Sequence, residues 1–105
     1  MKLAVLTREE ATRRLLEHSE QILGLGVLRL ALFGSVLRNE AGPDSDVDIL
    51  VEFQPDLKIF DRFMALGDLL ESILGQRIEL VTTDALSPHI GPHILAEAVD
   101  VVRAA

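Results

Sequence analysis

The run D-V-D-I-L-V-E-F at positions 46–53 constrains this chain more than any other stretch. Ile49, Leu50, Val51 and Phe53 read as a mostly buried strand, and two aspartates one residue apart lead into it. In a strand, residues i and i+2 leave the same face, roughly 7 Å apart given a rise of about 3.3 Å per residue. Asp46 and Asp48 therefore converge on one side, while Val47 turns to the other. Two carboxylates fixed in this way repel each other unless a hard cation sits between them. Magnesium suits such a pair, because it takes oxygen ligands and commonly combines one or two carboxylates with substrate phosphates. Two ions about 3.5 to 4 Å apart can stabilise both the attacking and the leaving oxygen of a displacement at phosphorus.

A second apolar run, V-L-R-L-A-L-F at Val27–Phe33, predicts a strand that ends directly in Gly34-Ser35, and ten residues separate Ser35 from Asp46. Around these two strands the punctuation is regular. Thr7 with Glu10 forms a capping box, and Ala11, Leu15, Leu16, Ile22 and Leu23 predict one amphipathic helix over 8–23, stopped by Gly24 and Gly26. A short helical turn is expected over 36–39 and a loop at Gly42-Pro43-Asp44-Ser45. Pro55 breaks the pattern over 54–57. A second amphipathic helix then carries Phe60, Phe63, Met64, Leu70, Ile73 and Leu74 largely on one face, and Gly75 ends it. The aromatic part of that stripe reads as core rather than as a platform for bases. R-I-E-L-V-T at 77–82 is a third strand, with Ile78 and Leu80 on one face and Glu79 and Val81 on the other. Gly91-Pro92 delays the last helix to near Pro92, from which it runs through Ile94, Leu95, Ala98 and Val101. The fold class is thus α/β, a small mixed sheet of about three strands flanked by helices on one face, in a single domain over 1–105.

Composition narrows the chemistry. There is no cysteine, so disulfides, thiolate catalysis and Cys-type zinc sites are excluded, which accords with a cytoplasmic location. A net charge of −7 disfavours sequence-independent binding to nucleic acid and fits a basic protein partner better. No apolar stretch reaches the roughly 18 to 20 residues of a membrane span, and positions 1–10 lack the apolar core of a secretion signal. With no tyrosine and no tryptophan, the chain offers no phenolic hydroxyl of its own. Taken singly, Gly34-Ser35 is a turn, Asp46 a cap, Glu79 a solvated strand position and Arg38 a surface charge. His89 and His93 lack a nearby third ligand and read as a loop and a helix start. Their joint order, not any one residue, carries the chemical reading.

The run G-S-V-L-R-N-E-A-G-P-D-S-D-V-D-I-L-V-E-F, followed by R-I-E-L-V-T, resembles the signature of the DNA polymerase beta-type nucleotidyltransferases, and within them the minimal nucleotidyltransferase (MNT) group. The match covers 30–82, and the segment from Leu86 resembles that group's C-terminal helix. The resemblance implies a nucleotidyltransferase fold in which Asp46 and Asp48 hold magnesium, most simply two ions, with ATP as substrate. Glu79 aligns with the third carboxylate, where the family commonly has Asp; it would hold the second metal or accept the proton of the attacking hydroxyl. Gly34 would let backbone approach a phosphate, and Ser35 would offer its hydroxyl and nearby N–H groups. Arg38 either pairs with phosphate or anchors the loop through carboxylates, with Glu40 and Asp44 close in sequence.

Members of this size are mainly antitoxin partners of HEPN-domain ribonucleases. The resemblance therefore implies a protein adenylyltransferase that moves AMP onto a tyrosine of a HEPN toxin, in a hetero-oligomer with it, with no direct nucleic-acid or membrane partner. Two other functions compete. One is an antitoxin that neutralises its toxin by binding alone; the other is nucleotide transfer to a small molecule, for which relatives usually carry an added acceptor-binding domain.

Overall fold

The structure, a computed structural model, describes residues 5–55 and 58–105. Asp56 and Leu57, within the break after the second strand, lie outside the described residues. The chain opens with α1 (Arg8–Glu17), whose N-cap Thr7 accepts a hydrogen bond from the Glu10 N–H at 3.1 Å. Its solvated face carries ion pairs at helical spacing, with Glu10 accepting from both Arg13 and Arg14. The single helix expected over 8–23 is broken at His18, whose φ of −110° and ψ of 20° leave helical geometry before α2 (Ser19–Leu23). The His18 Nδ1 lies 2.9 Å from the Arg14 carbonyl, where it takes up an acceptor that the broken ladder leaves free.

Four strands, among the described residues, form one sheet. They are β1 (Val27–Phe33), β2 (Val47–Phe53), β3 (Ile78–Thr82) and β4 (Val99–Arg103), in the order β3-β2-β1-β4. β1 runs antiparallel to both β2 and β4, and β2 runs parallel to β3. The parallel pair is joined by α4 (Ile59–Leu74), which ends at Gly75 in the left-handed conformation, φ 65°. A one-turn helix, α3 (Gly34–Leu37), follows β1, and α5 (Gly91–Glu97) lies between β3 and β4.

Alternation along the strands separates two apolar layers. Leu30, Leu32, Val47, Ile49 and Val51 pack with Leu15, Ile22, Leu66, Leu70 and Leu74 of the helices in one continuous core. Each fully buried large side chain in it contributes about 1.5–3 kcal/mol relative to exposure. On the opposite face Ala31, Phe33 and Leu50 form a smaller cluster against Val81, Leu86, Ile94 and Ala98. Asp48 projects to this second side, since Val47 and Ile49 beside it belong to the first.

Three expectations are corrected. The sheet has four strands rather than three, because Val101 belongs to a strand and not to the last helix. α5 stops at Glu97, Ala98 is extended at ψ 135°, and Val99, Val101 and Val102 are β-branched residues that complete the free edge of β1. Helices are not confined to one face either, since α5 and Leu86 cover part of the other. Finally, Phe60 is 70% and Met64 50% exposed, so neither is core. The buried stripe of α4 is Leu66, Leu70 and Leu74, and at 3.6 residues per turn Phe60 and Met64 rotate off it, while Phe63 stays near its margin.

Candidate active site

The site forms where β1 hands over to α3. Phe33 is extended, with φ −145° and ψ −179°, and Gly34 then turns the chain with φ 75°, a conformation that L side chains rarely adopt. Phe33 stands opposite Asp48 in the β1–β2 register, so the turn lies over the start of β2. Contact there is very close: a Cβ built on Gly34 would fall 2.0 Å from Asp48 Oδ2. Backbone and carboxylate occupy the same place, and only glycine leaves room for both.

From the other side, the parallel register sets Asp48 opposite Glu79. Asp46 lies two residues earlier, half-buried, and accepts a 3.1 Å hydrogen bond from Arg77 Nε at the foot of β3. Burial pushes the Asp48 carboxyl up to about 6, with further upward contributions from Glu79, by charge and hydrogen bonding, and from the Asp46 charge, against a weaker opposing pull from Arg38. Like charges are thus held together on adjacent strands, and none of the three belongs to the apolar core. Among the described residues no group of three or more such side chains is gathered in metal-holding geometry. The donor set itself fits a hard divalent cation: all are carboxylate oxygens, and the like charges of Glu79 and Asp46, which add to burial in raising Asp48, are what a cation would relieve.

Arg38 shows the carboxylate pairing of its two possible roles. Its Nε donates to Glu40 at 2.8 Å and its Nη1 to Glu97 at 2.6 Å, so the second partner is Glu97, not Asp44. The other Glu97 oxygen accepts from the Gly34 N–H at 2.6 Å. That bond first, and Arg38 second, hold the Glu97 carboxyl below its ordinary range. Ser35, partly buried, opens the same turn. The structure therefore brings together Gly34, Ser35, Arg38, Asp46, Asp48 and Glu79, and adds Glu97 and Arg77, which the sequence reading missed. Glu97 is 63 residues from Gly34, and nothing local marks it beyond a single acid at the end of an apolar helix. His89 and His93 are exposed.

A roomy cavity lies elsewhere. A groove of about 1130 Å³ runs between the first turns of α4 and the far ends of β2 and β3, lined by Phe53, Phe60, Phe63, Leu80 and Thr82 among others, and it contains none of the site carboxylates. Among the described residues no helix is long and apolar enough to cross a membrane.

Known proteins resemble the chain along most of its length. The pattern of the nucleotidyltransferase domain family matches residues 10–101. A protein adenylyltransferase, MntA, from Thermococcus cleftensis is 39% identical over 98 residues, which span 92% of this chain and 98% of that one. A solved chain regarded as a minimal nucleotidyltransferase superimposes with a TM-score of 0.67 at 35% identity, over 84% of this chain and 93% of its own. The fold also recurs, at 17% identity and a TM-score of 0.64, in a chain from the complex of a tri-AMPylated Shewanella oneidensis HEPN toxin with MNT antitoxin. That alignment covers 93% of this chain and 74% of the other.

Proposed function

Because the chain belongs to the nucleotidyltransferase domain family, we propose that it transfers AMP from ATP onto a tyrosine hydroxyl of a HEPN-domain ribonuclease and so acts as that toxin's antitoxin. The observation that carries this reading is the convergence at Asp48, which has the Gly34 backbone against its carboxylate and Glu79 opposite it in register. The three pieces of the motif meet at one point. The family relation and the 39% identity to a protein adenylyltransferase support the acceptor class, and the absence of tyrosine from this chain means the acceptor phenol comes from another molecule.

Asp46 and Asp48 would hold the magnesium, with Glu79 as third ligand or as acceptor of the proton. The metal, when bound, supplies charge neutralisation for the phosphates. The chain's own residues do the rest. Gly34 and Ser35 present donors to the outer phosphates without a Cβ in the way, and Arg38 lies beside them. The tyrosine oxygen attacks the α-phosphorus and forms the new P–O bond as the bond to the β-phosphate bridge breaks. Pyrophosphate leaves, and the phenolic proton passes to Glu79. The use of ATP and the absence of cysteine support a cytoplasmic location.

The test is direct. The purified chain, incubated with ATP labelled in its α-phosphate, magnesium and its HEPN partner, transfers label to the partner. The Asp46→Asn/Asp48→Asn variant transfers none and fails to silence the ribonuclease. Silencing that survives this double substitution would instead establish neutralisation by binding alone.

A further inference from the structure

Glu97 stands where α5 ends and extended Ala98 leads into β4, and it reaches across to the turn that opens the site. Its two carboxylate oxygens are divided between the Gly34 N–H and Arg38 Nη1, each at 2.6 Å. An anion that spans a backbone N–H beside a glycine and a guanidinium is making the contacts that a phosphate makes, since carboxylate and phosphate oxygens are interchangeable acceptors for both donors. We propose that Glu97 sets the affinity for nucleotide: it occupies the donors that the outer phosphates of ATP require, and nucleotide engages the turn only by displacing it. The inference rests on the nucleotidyltransferase reading of the site.

Charge and exposure both favour displacement over coexistence. A triphosphate beside a retained Glu97 would set like charges against each other at close range, where one Arg38 cannot satisfy both. The Glu97 side chain is 31% exposed, so once its two hydrogen bonds are broken a rotamer change releases it to water without moving β4, which stays anchored on β1. Arg38 keeps a second carboxylate, Glu40 at 2.8 Å, and so remains beside the turn after Glu97 leaves. In these terms the affinity seen in solution is the intrinsic affinity reduced by the fraction of molecules with Glu97 released. A purely structural brace predicts the opposite sign, because loosening the turn would weaken binding.

The measurement is the Kd of the full chain for AMP-PNP with magnesium by calorimetry, for the wild type, Glu97→Gln and Glu97→Asp. Thermal unfolding confirms that each is folded. Glu97→Gln keeps size and an acceptor for Gly34 but loses the charge, and it is expected to bind about tenfold tighter. Glu97→Asp keeps the charge on a shorter stem that cannot bridge both donors, and it also binds tighter than wild type. Equal or weaker binding by folded Glu97→Gln, with the wild type still binding, overturns this inference and leaves the nucleotidyltransferase reading intact. If folded wild type and both variants all fail to bind AMP-PNP, the nucleotide reading fails and takes this inference with it.

Discussion

Gly34 has no substitute at its position. Its φ of 75° strains any L residue, and a methyl group there would strike Asp48 Oδ2 at 2.0 Å. Gly34→Ala should therefore lower stability by about 1 kcal/mol or more, as expected when a side chain is forced into the left-handed region. It should also abolish transfer by driving the Asp48 carboxylate away, so loss of activity exceeds what urea titration accounts for. Asp48 gives a second residue-scale test. Its carboxyl sits at about 6 in the folded chain against an ordinary 3.8, so between those values the folded state holds a proton that the unfolded state has released. Stability from this group is fully present below about pH 4 and is lost as pH rises through 6. In metal-free buffer, Asp48→Asn should remove that decline from the Tm-versus-pH curve. Magnesium favours the ionised form, so its binding by the wild type should strengthen over the same window. Glu79→Gln keeps the size of the side chain while removing its charge, and transfer should fall at least a hundredfold if Glu79 accepts the proton.

At the scale of elements, α4 covers one face of the sheet with a fully buried stripe. Leu66, Leu70 and Leu74 are fully buried against it, and Leu70→Ala should destabilise the chain by about 2–5 kcal/mol in urea unfolding, a large part of a typical domain's total. Met64→Ala, half exposed on the same helix, should change stability by no more than about 0.5 kcal/mol. That contrast shows where sequence periodicity ran out. The strands Val27–Phe33 and 46–53 and the alternation of Ile78, Glu79 and Leu80 were legible because the two-residue period distinguishes faces without reference to the rest of the fold. The stripe of α4 was misread because Phe60 and Met64 are as apolar as Leu66, and only the sheet's position selects among the helix's faces. Val99–Arg103 was missed for a related reason. Five residues satisfy helix and strand patterns alike, and what decides is the vacant edge of β1, a fact about another part of the chain. The site divides in the same way: Gly34, Ser35, Asp46 and Asp48 announce themselves by spacing, whereas Glu97 gains meaning only from its contact with the turn.

For the molecule as a whole, acidity and the carboxylate cluster make the same demand. A chain of net charge −7 that sets Asp48 opposite Glu79, with Asp46 just ahead of β2, gains stability from any cation that neutralises them. Magnesium at ten times its Kd should raise stability by about 1.4 kcal/mol, seen as a higher Tm. The Asp46→Asn/Asp48→Asn variant should show no such rise, and EDTA should reverse it in the wild type. The parallel pairing of β2 with β3 has a different kind of consequence. Because strand residues alternate between faces, Glu79 meets Asp48 only while Ile78 and Leu80 keep to the core side, so the apolar period of β3 aims the acid. A slip of β3 by one residue against β2 would turn Glu79 toward the core layer, whereas a slip of two restores its side of the sheet. Register in this pair is therefore quantised in twos, a constraint imposed by the pleat and indifferent to the length of the connection that precedes it.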